Sequence, residues 1–232
     1  GSGAELLLGG YGNDSIDGNR GDDLALLGAG DDVFVWDPGD GSDTIRGRSG
    51  TDTMLFNGAN AAERIDLSAN GNHLRFFRDV GNITMDTAGV ERVDFEALGG
   101  ADVITVNDLA GTDVTNVNAD LAGTPEGLGD GQVDRVVVNG TNGNDTIEVA
   151  GDASAVAVSG LPAVVTVQHP EPGDKLEVNG LGGNDRISAA ALGAGVIALT
   201  LDGGEGDDTI AGGRGIEVLL GGDGKDSSDG NG

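Results

Sequence analysis

Asp14, Asp23 and Asp32 stand nine residues apart, and each follows a glycine by two positions: Gly12, Gly21 and Gly30. The same Gly-x-Asp step returns at Asp43, Asp52, Asp208 and Asp226. Carboxylates, together with the carbonyls of a glycine backbone that no side chain obstructs, are hard oxygen donors. Calcium takes six to eight of these at about 2.3–2.6 Å. The balance of 40 acidic to 12 basic residues, a formal charge of −28, disfavours nucleic acid or an anionic membrane surface as a partner and calls for cations. With no cysteine, disulfides and thiolate metal sites are excluded. The two histidines, His73 and His169, read as solvated strand or turn residues, and neither H-E-x-x-H nor G-x-S-x-G occurs. The chain is therefore expected not to be an enzyme, and any catalysis is expected in flanking parts of a larger parent. No run approaches the roughly 20 apolar residues of a membrane span.

The elements that must position these acids follow from an internal period. Residues 9–17 (G-G-Y-G-N-D-S-I-D), 18–26 (G-N-R-G-D-D-L-A-L) and 27–35 (L-G-A-G-D-D-V-F-V) are contiguous nine-residue units. After the insertion Trp36-Asp37 the frame resumes at 38–46 and 47–55, and it returns at 203–211, 212–220 and 221–229. Residues 1–8 fit the same frame with Glu5 in the acid position. In the middle, the segments opening at Asp52, Glu91, Asp134 and Asp174 share a looser template in which acids eleven residues apart each begin a short alternating run. These openings recur about every 40 residues, which reads as two coils of about 20. The runs His73–Phe77, Asn82–Asp86, Ala155–Ser159 and Val164–Gln168 read as further coils, which makes the solenoid continuous. Asp102, Asp145 and Asp185 then fall on one column two coils apart, without acidic neighbours, so the middle is expected to be calcium-poor.

The nonapeptide resembles G-G-x-G-x-D-x-U-x of the repeats-in-toxin (RTX) family of calcium-binding repeats. The resemblance implies an all-β fold, a parallel β-roll or β-helix solenoid. Each unit is then a turn of six residues and a strand of three, and the eighth residue points inward: Ile16, Ala25, Phe34, Ile45, Met54, Ile210 and Val218. Three regions follow: a calcium-binding roll over 1–55, a degenerate continuation over 56–202, and a second calcium-binding roll over 203–232 that frays at its end, where Ser228 takes an inward position. About 11 or 12 coils, near 55 Å in length, are expected.

By the same resemblance, several calcium ions lie between neighbouring coils. Their ligands are Asp14, Asp23, Asp32, Asp43, Asp52, Asp208 and Asp226, with glycine-region carbonyls at Gly10, Gly12, Gly21, Gly28, Gly30, Gly39, Gly41, Gly204, Gly206, Gly222 and Gly224. Glu5, Asp185 and Glu217 occupy the same place in less regular units. Stacking pairs Asp14 with Asp32, Asp23 with Asp43, Asp32 with Asp52, and Asp208 with Asp226. Asp37–Asp43 has an EF-hand flavour but no Glu at the twelfth position, and Arg75 and Arg78 beside Phe76 and Phe77 read as arginines snorkelling from a strand pair. The implied function is a calcium-dependently folding module, monomeric by itself, of a larger protein that is secreted through a type I apparatus or held at a bacterial surface. A solenoid spacer or glycan-binding adhesin segment is the alternative, and a carbohydrate-active β-helix is less favoured.

Overall fold

A computed structural model describes residues 1–123, 127 and 129–230. In chain order the strands are β1 (Leu6–Tyr11), β2 (Ser15–Asp17), β3 (Leu24–Ala29), β4 (Val33–Trp36), β5 (Thr44–Ser49), β6 (Thr53–Asn60), β7 (Arg64–Asn70), β8 (His73–Arg78), β9 (Ile83–Ala88), β10 (Arg92–Gly99), β11 (Val103–Val106), β12 (Asn116–Asp120), β13 (Arg135–Asn139), β14 (Thr146–Gly151), β15 (Ala155–Ser159), β16 (Val164–Gln168), β17 (Lys175–Asn179), β18 (Arg186–Leu192), β19 (Ala198–Glu205), β20 (Thr209–Ala211), β21 (Glu217–Asp223) and β22 (Ser227–Asp229). They form two facing sheets of eleven strands, ordered β1-β3-β5-β9-β8-β7-β11-β13-β17-β19-β21 and β2-β4-β6-β10-β12-β16-β15-β14-β18-β20-β22. At a strand spacing of about 4.8 Å each sheet runs roughly 50 Å. The fold is an all-β, largely parallel β-roll.

Alternation explains the layering. In β4 and β6 every second residue points inward, so Phe34, Trp36, Met54 and Phe56 are fully buried between the sheets. Ala25, Ile45 and Ile210 are buried likewise, and Ile16 packs on the core at its edge. Val218 points outward and is half exposed, whereas its neighbour Leu219 packs on the core. The inward position of that unit is therefore Leu219, the true eighth residue of 212–220, and not Val218. Ser228 is exposed, yet β22 pairs with β20 in parallel register.

The middle is not the uninterrupted solenoid that its 40-residue period suggests. β7, β8 and β9 form an antiparallel meander within the first sheet, and β14, β15 and β16 form another within the second. The runs His73–Phe77, Asn82–Asp86, Ala155–Ser159 and Val164–Gln168 are the added strands. A 40-residue offset consequently spans one strand spacing and not two coils: Arg135 faces Lys175, and Thr146 faces Arg186, on directly paired strands. Each sheet gains two strands, which keeps the two stacks level.

Nine of the turns that enter strands share one conformation. Their second residue has positive φ whether it is Gly10, Gly28, Gly39, Gly204 and Gly222 or a residue with a side chain: Asn19 (58°), Arg48 (87°), Leu98 (64°) and Leu181 (73°). A left-handed leucine is costly, by about 1–2 kcal/mol, and persists only where the surroundings fix the turn.

Between the sheets, at the level of the first meander, lies the aromatic cluster. Trp36 stacks on Phe56 at 3.9 Å between ring centroids, and Phe56 also meets Phe76 at 4.4 Å and Phe95 at 6.2 Å. Arg78 does not snorkel: it is buried, pairs with the equally buried Glu63 and lies 5.1 Å over Trp36. Arg75 is the outward one, over Phe77.

Two outcomes follow. Phe56→Ala should lower stability by about 3–5 kcal/mol in calcium-containing buffer, measured by denaturant unfolding, and a loss below about 1 kcal/mol would show that the cluster does not anchor the core. Leu181→Gly should raise stability by roughly 0.5–1 kcal/mol, because relief of the left-handed backbone exceeds the entropic cost of glycine. A drop would show that packing of the half-exposed leucine outweighs its strain.

Candidate metal centre

An acid stands at the residue before most strands, on the inward side of the turn. Parallel pairing lays these acids over one another in four runs: Glu5–Asp23–Asp43 and Glu63–Asp102–Asp134–Asp174 along the first sheet, and Asp14–Asp32–Asp52–Glu91 and Asp145–Asp185–Asp208–Asp226 along the second. Within a run one oxygen of each carboxylate accepts the backbone N–H of the acid in the layer before. Asp14 donates to Asp32 Oδ1 at 2.8 Å, Asp32 to Asp52 at 2.9 Å, Asp23 to Asp43 at 2.8 Å, and Asp208 to Asp226 at 3.0 Å. The breaks between runs fall where the meanders insert strands.

The second oxygen carries the chemistry. The Oδ2 atoms of Asp14, Asp23, Asp32, Asp43, Asp52, Asp102, Asp185 and Asp208 are buried and accept no hydrogen bond, whereas Glu5 Oε2 meets the Gly1 ammonium at 3.2 Å. An ionised oxygen withdrawn from water and left unpaired is strongly unfavourable. Two such carboxylates one strand apart repel by roughly 3–4 kcal/mol at an effective dielectric of about 20. Burial, reinforced by the neighbouring aspartates, pushes Asp43 up to about 7 and Asp52 to about 6, while the backbone N–H that each accepts pulls the other way. Burial likewise raises Asp102 to about 7 and Asp134 to about 6, and raises Asp185 and Asp174.

Glycines make the space for oxygens to converge. A Cβ on Gly203 would lie 2.3 Å from Asp208 Oδ2 and 2.6 Å from the Gly221 carbonyl; one on Gly180 would lie 2.3 Å from Asp185 Oδ2 and 2.5 Å from the Gly203 carbonyl. At Gly18 the two nearest oxygens belong to Asp23 and Asp43, at 3.1 and 3.4 Å. Carboxylate and carbonyl oxygens thus face one another across adjacent layers, with no donor between them, an arrangement that suits a hard cation. Among the described residues no three Asp, Glu or His side chains gather at one point, so a cation here would take two carboxylates at most and fill its shell with carbonyls or water.

The glycines named from sequence occupy the turns. All have positive φ except Gly41, whose constraint is proximity: a Cβ there would sit 1.9 Å from the Gly21 carbonyl. Glu217 lies opposite Leu199, has no acid stacked upon it, and folds back to accept the Gly215 N–H at 3.0 Å. The middle acids need a correction. Asp102, Asp145 and Asp185 do not share one column, and none lacks an acidic neighbour. Asp145 donates its N–H to Asp185 Oδ1 at 2.7 Å, Asp185 donates to Asp208 at 2.7 Å, and Asp102 lies beside Asp134 in the other sheet.

Three sets of residues were not assigned to the site from sequence. Glu63, Glu91, Asp134 and Asp174 complete the columns, and their signal was the eleven-residue acid spacing. The first glycine of each turn, such as Gly18, Gly180 and Gly203, opens the cradle. A second ladder runs outside the first: Asn13 Oδ1 accepts the Asp31 N–H, Asp31 accepts from Thr51, Asn184 from Asp207, and Asp207 from Lys225, at 2.8–3.0 Å. Asn or Asp at the fifth position of the unit was its signal.

Among the described residues no helix is long and apolar enough to cross a membrane. No curated protein matches the chain. The family model of the RTX calcium-binding nonapeptide repeat matches in four copies, over residues 1–34, 39–60 and 200–232; these segments are similar to RTX calcium-binding repeats, and the chain folds as a β-roll.

Proposed function

We propose that this chain is a calcium-folded module of a larger secreted or cell-surface protein, with ions seated between Asp14 and Asp32, Asp32 and Asp52, Asp23 and Asp43, Asp185 and Asp208, and Asp208 and Asp226. The single observation that carries the reading is the file of buried carboxylate oxygens without partners. Bound calcium would supply positive charge between stacked carboxylates, turning their repulsion into attraction. The aspartates hold one oxygen toward each ion because the other is fixed by a main-chain N–H, and the glycine turns present carbonyls from the adjoining layer.

Binding to the folded state alone couples calcium to folding. At the low calcium of a cytoplasm the end repeats would repel themselves open, and the chain could thread a type I secretion channel. At millimolar calcium outside the cell they would close. As a module the chain would act as a monomer. A spacer role within a surface protein shares the same chemistry and differs only in what flanks the chain.

Far-ultraviolet circular dichroism during a calcium titration from chelator to about 10 mM should show a cooperative gain of β signal. Asp23→Ala combined with Asp32→Ala should abolish most of that gain. A β signal that is complete in chelator and unchanged throughout would overturn the folding switch.

The pH dependence has a definite sign. Asp43 and Asp52 bind protons more tightly in the folded chain than at their ordinary value of 3.8, so without calcium the fold gains stability as pH falls through about 7 to 4 and loses it as pH rises. Thermal melts in calcium-stripped buffer should therefore move upward between pH 8 and pH 5. The increment added by calcium should shrink over the same range, since protons compete for the same oxygens. A calcium increment that grows toward acid would contradict the assignment of these carboxylates.

A further inference from the structure

The run Glu63–Asp102–Asp134–Asp174 lies outside the segments matched by the nonapeptide repeat. Its two ends are compensated from within the protein. Glu63 is paired with the buried Arg78 guanidinium and accepts the Ala59 N–H at 3.0 Å. Asp174 accepts the Asp134 N–H on one oxygen and the Glu171 N–H, at 2.8 Å, on the other. Between them Asp102 is 1% exposed, and its Oδ1 accepts the Glu63 N–H at 2.7 Å. Its Oδ2 is buried without any partner. Asp134, 3% exposed, sits on the next strand and accepts the Asp102 N–H at 2.8 Å.

The surroundings add negative charge, and the guanidinium in the run, Arg78, is already paired with Glu63. Asp130 accepts the Gly100 N–H at 2.8 Å and the Gln132 N–H at 2.7 Å, and Glu171 accepts the Gly131 N–H at 2.9 Å. None of the ion pairs among the described residues reaches Asp102, Asp130, Asp134, Glu171 or Asp174. The turn before Asp102 also keeps the conformation of the matched repeats, with Leu98 at φ 64° and Gly100 at φ 132°, although a leucine is poorly suited to it.

We propose that Asp102 and Asp134 share one calcium ion, in a site that the nonapeptide pattern does not mark, so that calcium binding extends into the middle of the roll. The proposal rests on the calcium reading of the end repeats. The competing state is a proton on Asp102, and burial with Asp134, Glu63 and Asp130 nearby does favour protonation there. The two differ in what happens when the carboxylate is neutralised. If a proton sits there, an amide of the same shape is harmless or stabilising at every calcium concentration. If calcium sits there, the amide removes a ligand.

The test is equilibrium dialysis of the full chain against calcium alone, together with thermal melts in calcium and in chelator, for Asp102→Asn, Asp134→Asn, the double variant and Asp32→Asn. A shared ion predicts one calcium fewer per chain for each single variant and for the double, with a lower melting temperature in calcium but an unchanged or higher one in chelator. The chelator melt also shows that each variant still folds its middle. Unchanged stoichiometry with a raised melting temperature in calcium for Asp102→Asn would overturn the proposal in favour of the proton. If Asp32→Asn loses calcium while Asp102→Asn does not, this site alone fails; if neither loses calcium, the reading of the end repeats fails with it.

Discussion

Parallel pairing forces like charges into register, and much else in this structure is a response to that. A β-roll repeats its sequence once per layer, so a residue needed at a turn recurs about 4.8 Å above itself. When that residue is aspartate and its side chain points inward, every layer adds a buried carboxylate to a column of the same sign. The main chain can satisfy one oxygen of each, through the N–H of the preceding layer, and it does so along all four runs. It cannot satisfy the second oxygen, because neighbouring carbonyls, which are acceptors too, crowd the same space. The columns therefore require something from outside the repeat.

Three internal answers occur, all in the middle of the chain; one is at Asp145, whose Oδ2 accepts the Thr141 N–H at 2.7 Å and the Thr141 hydroxyl at 3.0 Å. At Glu63 a meander carries Arg78 into the column and buries a guanidinium against the carboxylate, with Trp36 covering it. At Asp174 an irregular turn supplies a second N–H from Glu171. At Glu63 and Asp174 the regular repeat is broken to admit the new group. The regular ends have no such insertion, and there the second oxygens of Asp14, Asp23, Asp32, Asp43 and Asp52 stay orphaned. Regularity and cation dependence go together for a physical reason: an unbroken repeat offers a column the same donors at every layer, and these are one short.

Much of this was legible in the residues. The nine-residue frame placed strands, turns and the inward Phe34, Ile45 and Met54, because a period that short leaves one way to alternate. The stacking of Asp14 on Asp32 and Asp23 on Asp43 followed from two units per coil. The middle was misread because strand direction has no period of its own: an antiparallel run such as His73–Phe77 alternates just as a parallel one does. The informative residues were the turn formers. Asn70-Gly71 between two alternating runs is a tight hairpin signal, and Gly71 has φ 68°. Asp79 with Gly81 and Asn82, both of positive φ, closes the next turn. Reading those two turns as hairpins would have placed β7 to β9 in one sheet, and the 39-residue offset would then have become a single strand spacing that brings Glu63 onto Asp102 and Asp52 onto Glu91.

The meanders also divide the labour of folding. β7–β8, β8–β9, β14–β15 and β15–β16 are antiparallel neighbours joined by short turns, so their pairing closes small loops. The parallel layers must close loops of 18 to 20 residues at the N-terminal end, and they meet like charges as they do so. The aromatic cluster of Trp36, Phe56, Phe76 and Phe95 spans β4, β6, β8 and β10, tying the first meander to the last layers of the N-terminal repeats. A meander stabilised by hydrogen bonds, aromatic packing and one buried ion pair can hold its shape while the columns beside it are uncompensated. It would then offer β5 a preformed edge through β9, and on the proposed reading each cation that settles between two acids would extend the roll by one layer outward from that edge.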